Sequence, residues 1–329
     1  MASSTTDTNL IELLTNISEQ LNRYLSSFIF IFGTVGNILN CLVLCQRRLR
    51  SNPCVALFLL SSFVSLISIL IGLPTRILAS WYLDPTATIN WICKLRVFIV
   101  FSTRTMSIWL ITLATIDRWL LSSINIYYRR MSTLKNVKQG MIICFILSII
   151  SHIHMFYCYE ANVLDGPLPC YSKTIKCRLV TDLIYIFISI IIPLILIIIF
   201  GLMTVSNAHR VRTRVPHMIK LLNKFRRHGH KQLKSRIDHC LLRMLLVQIF
   251  ILILCCIPQA IEKLYIIFHP FSSGSKLENV IKIFIYNIVL LLAFIQNGIP
   301  FYIHTLIGGT IFRKAFMDFI RIVNQRITF

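Results

Sequence analysis

The stretch Ile108-Trp-Leu-Ile-Thr-Leu-Ala-Thr-Ile-Asp-Arg-Trp119 decides the fold, because its apolar run ends at an acid and a base, Asp117 and Arg118. Cys93 lies 25 residues before Arg118. At about 1.5 Å per residue, a helix of that length rises roughly 37 Å, slightly more than the ~30 Å hydrocarbon core of a bilayer. The stretch therefore predicts a membrane-crossing helix with a cysteine at one surface and a charged pair at the other.

The composition of the whole chain is that of a membrane protein. Of the 329 residues, 56% are hydrophobic and 14% are charged, and the mean hydropathy is +0.73. Soluble domains carry about 25% charged residues. The net charge of +22 does not indicate a nucleic-acid-binding protein, because the bases lie in short segments between apolar runs. Such segments instead predict attraction to anionic lipid of the inner leaflet.

Seven apolar segments are long enough to cross a bilayer. They lie approximately at 24–45, 53–80, 91–121, 137–159, 179–207, 240–268 and 277–307. The sequence therefore predicts an all-α membrane protein, with an extracellular tail over 1–23 and a seven-transmembrane helix bundle over 24–307. Regularly spaced phenylalanines within 308–329 predict a short amphipathic C-terminal helix in the inner interface, followed by a cytoplasmic tail.

The distribution of charge among the loops predicts the orientation. With the N-terminus outside, most of the 34 lysines and arginines lie on the cytosolic side and most of the 12 acids lie on the opposite side. Cytosolic loops of membrane proteins carry such an excess of bases. We therefore expect a multi-pass plasma-membrane protein with an extracellular N-terminus and a cytoplasmic C-terminus. Asn16 then lies outside, in an Asn-x-Ser sequence that accepts N-glycosylation.

The chain resembles the rhodopsin-like (class A) G-protein-coupled receptors in three features. These are the seven spans, the tripeptide Asp117-Arg118-Trp119 at the inner end of the third span, and Cys93 at its outer end. In that family the third span ends in Asp-Arg-Tyr, and a cysteine 25 residues earlier bonds to the second outer loop. Both features are matched here, with Trp119 in place of the tyrosine. The resemblance covers essentially the whole chain and implies a receptor that activates a heterotrimeric G protein.

Other motifs of the family are matched in part. Cys255-Cys-Ile-Pro258 resembles the Cys-Trp-x-Pro of the sixth span, with Cys256 at the position of the tryptophan. The second span lacks the sodium-binding aspartate, and Pro300 is not preceded by asparagine. Pro193, Pro258 and Pro300 remove backbone hydrogen bonds inside predicted helices, so we expect hinges at these prolines.

The resemblance implies a latch at the inner end of the bundle. Asp238 precedes Pro258 by 20 residues, where the family carries the acid that pairs with the arginine of the third span. We expect Asp117 and Asp238 to hold Arg118 in the resting state. Its release, when the sixth span tilts outward, would open a cleft for the G protein.

The resemblance also implies a disulfide bond from Cys93 to the second outer loop. Cys170 and Cys177 both lie in that loop. We prefer Cys170, because the chain after it is long enough to reach back before the fifth span begins. Cys177 is the alternative, and Cys158 could form a second bridge with Cys177. Cysteines that face an oxidising compartment tend to pair.

The ligand pocket of such a receptor would open outward between spans two, three, six and seven. Val100 stands where amine receptors carry an aspartate, which disfavours a biogenic amine. Arg104 lies about two turns below Arg96 on much the same helix face, and a deep arginine invites an anionic group or a main-chain carbonyl. The predicted lining residues are Arg76, Arg96, Val100, Arg104, Gln259, Glu262 and Gln296. A polar mouth of mixed charge suits a peptide.

The sequence therefore predicts a divergent receptor for an extracellular ligand, a neuropeptide, rather than an enzyme, since no catalytic set is recognisable. No cofactor is expected. A metal site is not expected either, because the cysteines lack zinc-ligand spacing. Two alternatives stay open. One is a chemosensory receptor for a small molecule; the other is a transporter or channel, which would require charges along a midplane path or repeated halves.

Overall fold

The computed structural model describes residues 2–46, 51–163, 166–222, 229–271, 275–307, 316–317 and 321, with side chains for these residues except 2–6 and 208–239. Within this part of the chain, seven helices are long and apolar enough to cross a membrane. Spans one to seven are Asp7–Leu44, Pro53–Ala79, Asn90–Ser122, Leu134–Cys158, Ile175–Asn207, Cys240–Phe268 and Lys276–Gly298. The predicted seven-helix bundle is confirmed.

The regular elements are almost entirely helical, as expected where no water reaches the backbone. The helices are Ala2–Gln20, Ser26–Leu44, Pro53–Ala79, Asn90–Ser122, Ile126–Met131, Leu134–His152, Met155–Cys158, Ile175–Ile184, Ile192–Leu222, Gly229–Phe268, Lys276–Gly298 and Pro300–Ile307. Leu21–Leu25 and Tyr185–Ile191 are π-helical, and Pro85–Ala87 is a 3-10 turn. Strands β1 (Tyr159–Glu160) and β2 (Tyr171–Ser172) form an antiparallel hairpin in the second outer loop.

Side-chain caps fix where several helices begin. The Asn52 side chain accepts a hydrogen bond from the Cys54 amide at 3.0 Å, and Pro53 occupies the first helical position. Thr174 caps span five, and Ser275 caps span seven by accepting from the Glu278 amide at 3.2 Å. Such residues satisfy amides that have no partner within the first helical turn.

The N-terminal segment is helical and not an unstructured tail. Ala2–Gln20 continues through a π-helical turn into Ser26–Leu44, so the predicted bundle start at residue 24 falls inside one continuous helix. This segment docks on span seven, where Asn287 Nδ2 donates to Ser18 Oγ at 2.7 Å. Its polar composition concealed the helix, because hydropathy marks only the part of a helix that lies in lipid.

The three predicted hinge prolines lie in or beside long helices. Pro193 is the second residue of Ile192–Leu222 and lies two residues after the π-helical turn Tyr185–Ile191. Proline has no amide to donate, and π-helical turns absorb such defects. Pro258 lies inside the span-six helix, and Pro300 opens a new helix after the break at Ile299. Their action as hinges stays a prediction.

The interfacial helix predicted after residue 308 lies almost wholly outside the described residues and also stays a prediction. Phe316 is described, and the centroid of its ring lies 5.7 Å from that of Phe301.

Spans one and seven cross in backbone contact. A Cβ atom added to Gly298 would lie 3.2 Å from the Gly33 Cα atom, and one added to Gly33 would lie 2.8 Å from Ile69 Cδ1. At the same level, Asn37 Nδ2 donates to the carbonyl oxygens of Gly33 at 2.8 Å and Asn297 at 2.9 Å. Small residues permit this close approach between membrane helices.

Gly33→Val should lower the stability of the bundle. The added methyl groups have no space between spans one, two and seven, and overpacking of this kind costs about 1–3 kcal/mol. Gly201→Val is the matched control, since no atom lies within 4 Å of a Cβ atom there. We expect the thermal unfolding midpoint of the purified protein to fall for Gly33→Val alone. Equal midpoints for the two variants would contradict the close crossing.

A cleft beneath the second outer loop and a charge pair at the inner face

Two disulfide bonds lie at the outer end of the bundle, one to the second outer loop and one between spans four and five. Cys93, at the outer end of span three, is bonded to Cys170, with 5.7 Å between their Cα atoms. Cys158, at the end of span four, is bonded to Cys177, with 5.3 Å between the Cα atoms. This is the pairing that the sequence reasoning preferred for Cys93, together with the second bridge that it left open. The loop therefore lies fixed across the outer end of the bundle.

Cys93→Ser should destabilise the receptor and weaken ligand binding, because the loop would no longer be held over the bundle. Loss of a native disulfide bond typically costs about 2–5 kcal/mol. The matched control is Cys144→Ser, since Cys144 is a buried free cysteine in span four. Thermal unfolding in detergent would measure the effect. A fall for Cys144→Ser as large as that for Cys93→Ser would show that any cysteine replacement is damaging.

A narrow cleft of about 30 Å³ lies directly beneath this loop. It is bordered by spans two, three and seven and by the loop. The side chains lining it are Arg76, Arg96, Val97, Val100, Phe101, Arg104, Tyr159, Leu168, Cys170, Tyr171, Tyr286, Leu290 and Phe294. Four of the seven predicted lining residues, namely Arg76, Arg96, Val100 and Arg104, therefore meet at one cavity.

Two of the three arginines of the cleft, Arg76 and Arg96, have donors without a hydrogen-bond partner among the described residues. Arg76 is 3% exposed; its Nη1 donates to Asn287 Oδ1 at 2.8 Å, while its Nε and Nη2 have no partner among the described residues. Arg96 Nη2 donates to the Gly72 carbonyl at 3.2 Å, and its Nε also lacks a partner there. Arg104 is 4% exposed, with its guanidinium 5.7 Å from the Tyr185 ring centroid.

Tyrosines close the cleft from above and from the side. Tyr159 and Tyr171 belong to β1 and β2 of the outer loop, and both are buried. Burial disfavours the phenolate and raises the pKa of both hydroxyls above the ordinary value, so each remains a neutral phenol at physiological pH. The ring of Tyr286, from span seven, lies 5.7 Å from the Arg76 guanidinium. The cleft is thus cationic and aromatic.

The other three predicted lining residues lie elsewhere. Gln259 Oε1 accepts a hydrogen bond from the Tyr185 hydroxyl at 3.2 Å, and Gln296 Oε1 accepts one from Cys256 Sγ at 3.7 Å. Glu262 is buried near the outer end of span six. None of the three lines the cleft. Their part in a ligand pocket stays a prediction.

A buried ion pair near the outer ends of spans five and six was not predicted as a pair. Lys263 Nζ lies 2.5 Å from Asp182 Oδ1, and the two side chains are 11% and 4% exposed. Lys263 also lies 5.4 Å from the centroid of the Tyr185 ring. The pairing could not be found from the sequence, because the two residues are 81 positions apart.

At the inner end of span three, Arg118 and Asp117 form a buried salt bridge. Arg118 Nη2 lies 2.9 Å from Asp117 Oδ2, and each side chain is 3% exposed. Arg118 Nη2 also donates to Asn52 Oδ1 at 3.1 Å, and Ser132 Oγ donates to Asp117 Oδ1 at 2.6 Å. Sequence reasoning missed these two polar neighbours.

Two further predicted residues complete the inner end. The Trp119 ring packs against Phe200 of span five, with 4.9 Å between the ring centroids. The side chain of Asp238 lies outside the described residues, so its part in the latch stays a prediction.

The described histidines and acids do not assemble into a metal site. No group of three His, Cys, Asp or Glu side chains in this part of the chain could hold a metal ion. His152 Nδ1 lies 2.9 Å from the Ser148 carbonyl oxygen, and His154 Nε2 lies 3.1 Å from Thr181 Oγ1. Both histidines are therefore held in place by hydrogen bonds.

Span three carries residues of the cleft at its outer end and the charge pair at its inner end. This arrangement agrees with the family to which the chain is matched. The 7 transmembrane receptor (rhodopsin family) matches residues 36–299. The chain belongs to this family, as predicted.

Among curated proteins, the chain is similar to the Neuromedin U receptor homolog nmur-2 of Caenorhabditis elegans. The two are 24% identical over 267 residues, which is 76% of this chain and 66% of the relative. The match thus covers just under two thirds of the relative's length.

Proposed function

We propose that this receptor binds an extracellular neuropeptide and activates a heterotrimeric G protein. The observation that carries the proposal is the single helix Asn90–Ser122, which bears two sites. Arg96 and Arg104 lie in the cleft under the outer loop, and Asp117 and Arg118 form the charge pair at the opposite end. A change at the first site can therefore reach the second through one rigid element.

The nature of the ligand is supported by the cleft and by the relative. The cleft is polar, aromatic and cationic, and a disulfide-tied hairpin covers it. Such a site suits a peptide with charged or polar groups better than a monoamine, because Val100 lines it and offers no carboxylate. The relative is named for neuromedin U, a neuropeptide.

Signalling would proceed by release of the inner charge pair. Ligand binding would favour an outward tilt of span six about Pro258, and Arg118 would leave Asp117 and Asp238 to contact the G protein. The basic segment between spans five and six would face the cytoplasm and attract anionic inner-leaflet lipid. Asn16 is exposed on the N-terminal helix and would carry an N-linked glycan on the extracellular side of the plasma membrane.

A neuropeptide library screened on cells that express the receptor would test the proposal. Ligand-dependent GTP exchange on the G protein is the expected result, with Arg118→Ala as a variant that reaches the surface without coupling. Activation by small molecules alone would support a chemosensory receptor. Ligand-gated current without GTP exchange would support a transporter or channel. Location of the second outer loop and of the Arg118 end on the same face of intact cells would contradict the proposed orientation.

A further inference from the structure

Building on the proposed receptor function, we infer that the cleft binds a carboxylate of the ligand through Arg76 and Arg96, with Arg104 as a deeper positive charge. The three side chains reach the same cavity from spans two and three. Arg96 and Arg104 are eight residues apart on one helix, which corresponds to about 12 Å of rise. The cleft thus has an upper cationic level with two arginines and a lower level with one.

The guanidinium groups retain donors for a ligand. Nε and Nη2 of Arg76 and Nε of Arg96 are buried and have no hydrogen-bond partner among the described residues. A buried donor without a partner is unfavourable, and more so when it is charged. A planar carboxylate, with two oxygens and four lone-pair sites, matches the fork of an arginine and can accept from two arginines at once.

Several acids of the outer half are engaged with other groups. Asp84 accepts hydrogen bonds from the Thr86 amide at 2.9 Å and from the Thr86 hydroxyl at 2.8 Å, and its charge also acts on Arg76 and Arg96 without a salt bridge to either. Asp182 pairs with Lys263, and Glu278 pairs with Lys282 at 2.7 Å. Within the described chain, no salt bridge neutralises an arginine of the cleft. The missing negative charge is therefore expected from the ligand.

The remainder of the lining describes the group that would adjoin the carboxylate. Val97, Val100 and Phe294 supply apolar surface around the arginines, and Tyr171 covers the cleft from the loop. The Arg104 guanidinium lies 5.8 Å from the Phe294 ring centroid, so its charge borders an aromatic wall. A carboxylate on an aliphatic or aromatic group fits this surface. A peptide C-terminus, an acidic side chain and a small carboxylic acid share that chemistry.

Binding of matched synthetic probes to the full-length receptor in detergent would test the inference. The probes are a pentapeptide library with free C-terminal carboxylates, the same library amidated, an amidated library with glutamate, and a set of aliphatic and aromatic carboxylic acids. We expect probes that carry a carboxylate to raise the thermal unfolding midpoint. Arg76→Gln and Arg96→Gln should weaken their binding at least tenfold. Arg23→Gln is the control, because Arg23 contacts Trp81 and Ser80 outside the cleft.

The unliganded variants distinguish a binding role from a structural one. If the arginines serve the ligand, Arg104→Gln should leave the midpoint without ligand unchanged or raised, because a positive charge is removed from a buried site that holds two others. If they serve the fold, the midpoint should fall and binding should fail with it. The latter result would overturn the inference.

Failure of this inference and failure of the proposed function give different results. If peptides without any carboxylate activate wild type and Arg96→Gln equally, the inference is overturned. The proposed function as a neuropeptide receptor would still stand. If small carboxylic acids bind in an arginine-dependent way and no peptide is active, the result would support the carboxylate site. It would overturn the proposal that the ligand is a peptide. Among active peptides, the free-acid and glutamate libraries identify whether the terminus or a side chain supplies the charge.

Discussion

Asp117→Asn is expected to raise ligand-independent GTP exchange about tenfold. The carboxylate of Asp117 lies 2.9 Å from the Arg118 guanidinium, and both are almost fully buried. Removal of one member of a buried ion pair costs about 3–5 kcal/mol in the state that contains the pair. A signalling state in which Arg118 faces an open inner cleft does not bear this cost. A difference of about 1.4 kcal/mol between the two states shifts their ratio tenfold.

GTP exchange in membranes without ligand, normalised to the amount of surface receptor, would measure this effect. Glu160→Gln removes an equal charge from an exposed position on the outer loop and should leave basal exchange unchanged. Ser132→Ala removes only the 2.6 Å hydrogen bond to Asp117 and should give a smaller rise. Asp238→Ala should act in the same direction as Asp117→Asn. Unchanged basal exchange in Asp117→Asn would argue against the latch.

Lys263→Met is expected to lower the amount of folded receptor to a small part of the wild-type amount. The ammonium group lies 2.5 Å from Asp182 Oδ1, and this pair joins spans five and six. Without the lysine, a carboxylate that is 4% exposed loses its counter-charge, which costs about 3–5 kcal/mol. That is a large part of the 5–15 kcal/mol typical of a folded protein. The amount of surface receptor and the thermal unfolding midpoint in detergent should both fall.

An exposed lysine provides the matched control. Lys176 lies exposed in the first turn of the span-five helix, so Lys176→Met should change the midpoint little. The double variant Lys263→Met/Asp182→Leu should recover much of the loss, because no buried charge then lacks a partner. An equal loss in Lys176→Met, or no recovery in the double variant, would show that the buried pair does not account for the stability of this region.

The sequence was sufficient for the architecture, because a bilayer fixes the length and polarity of each crossing helix. It was not sufficient for the outer part of the first long helix, since Ala2–Gln20 is polar and lies before the apolar stretch. Helical spacing correctly brought Arg96 and Arg104 to one cavity. It could not bring Tyr159 and Tyr171 there, because their positions depend on the hairpin and on the two disulfide bonds.

The contacts of the inner charge pair were likewise only partly predictable from the sequence. Asp117 and Arg118 are adjacent in the chain, so their partnership was evident from the sequence. Asn52 and Ser132 come from other helices and loops, 66 and 15 positions away from the groups that they contact. Contacts of this kind depend on how helices are rotated and packed, which hydropathy does not specify.

The docking of the N-terminal helix on span seven affects a side chain that lines the cleft. Ser18 accepts a hydrogen bond from Asn287, and the other end of the same amide accepts one from Arg76. Two hydrogen bonds thus connect the N-terminal helix, through Asn287, to the arginine that lines the cleft. A protein that lacks only residues before Ser18 would keep both hydrogen bonds. A protein that also lacks Ser18 would lose the bond to Asn287, and Arg76 would be less firmly oriented. The N-terminal helix thus supports a side chain that lines the cleft, although it does not line the cleft itself.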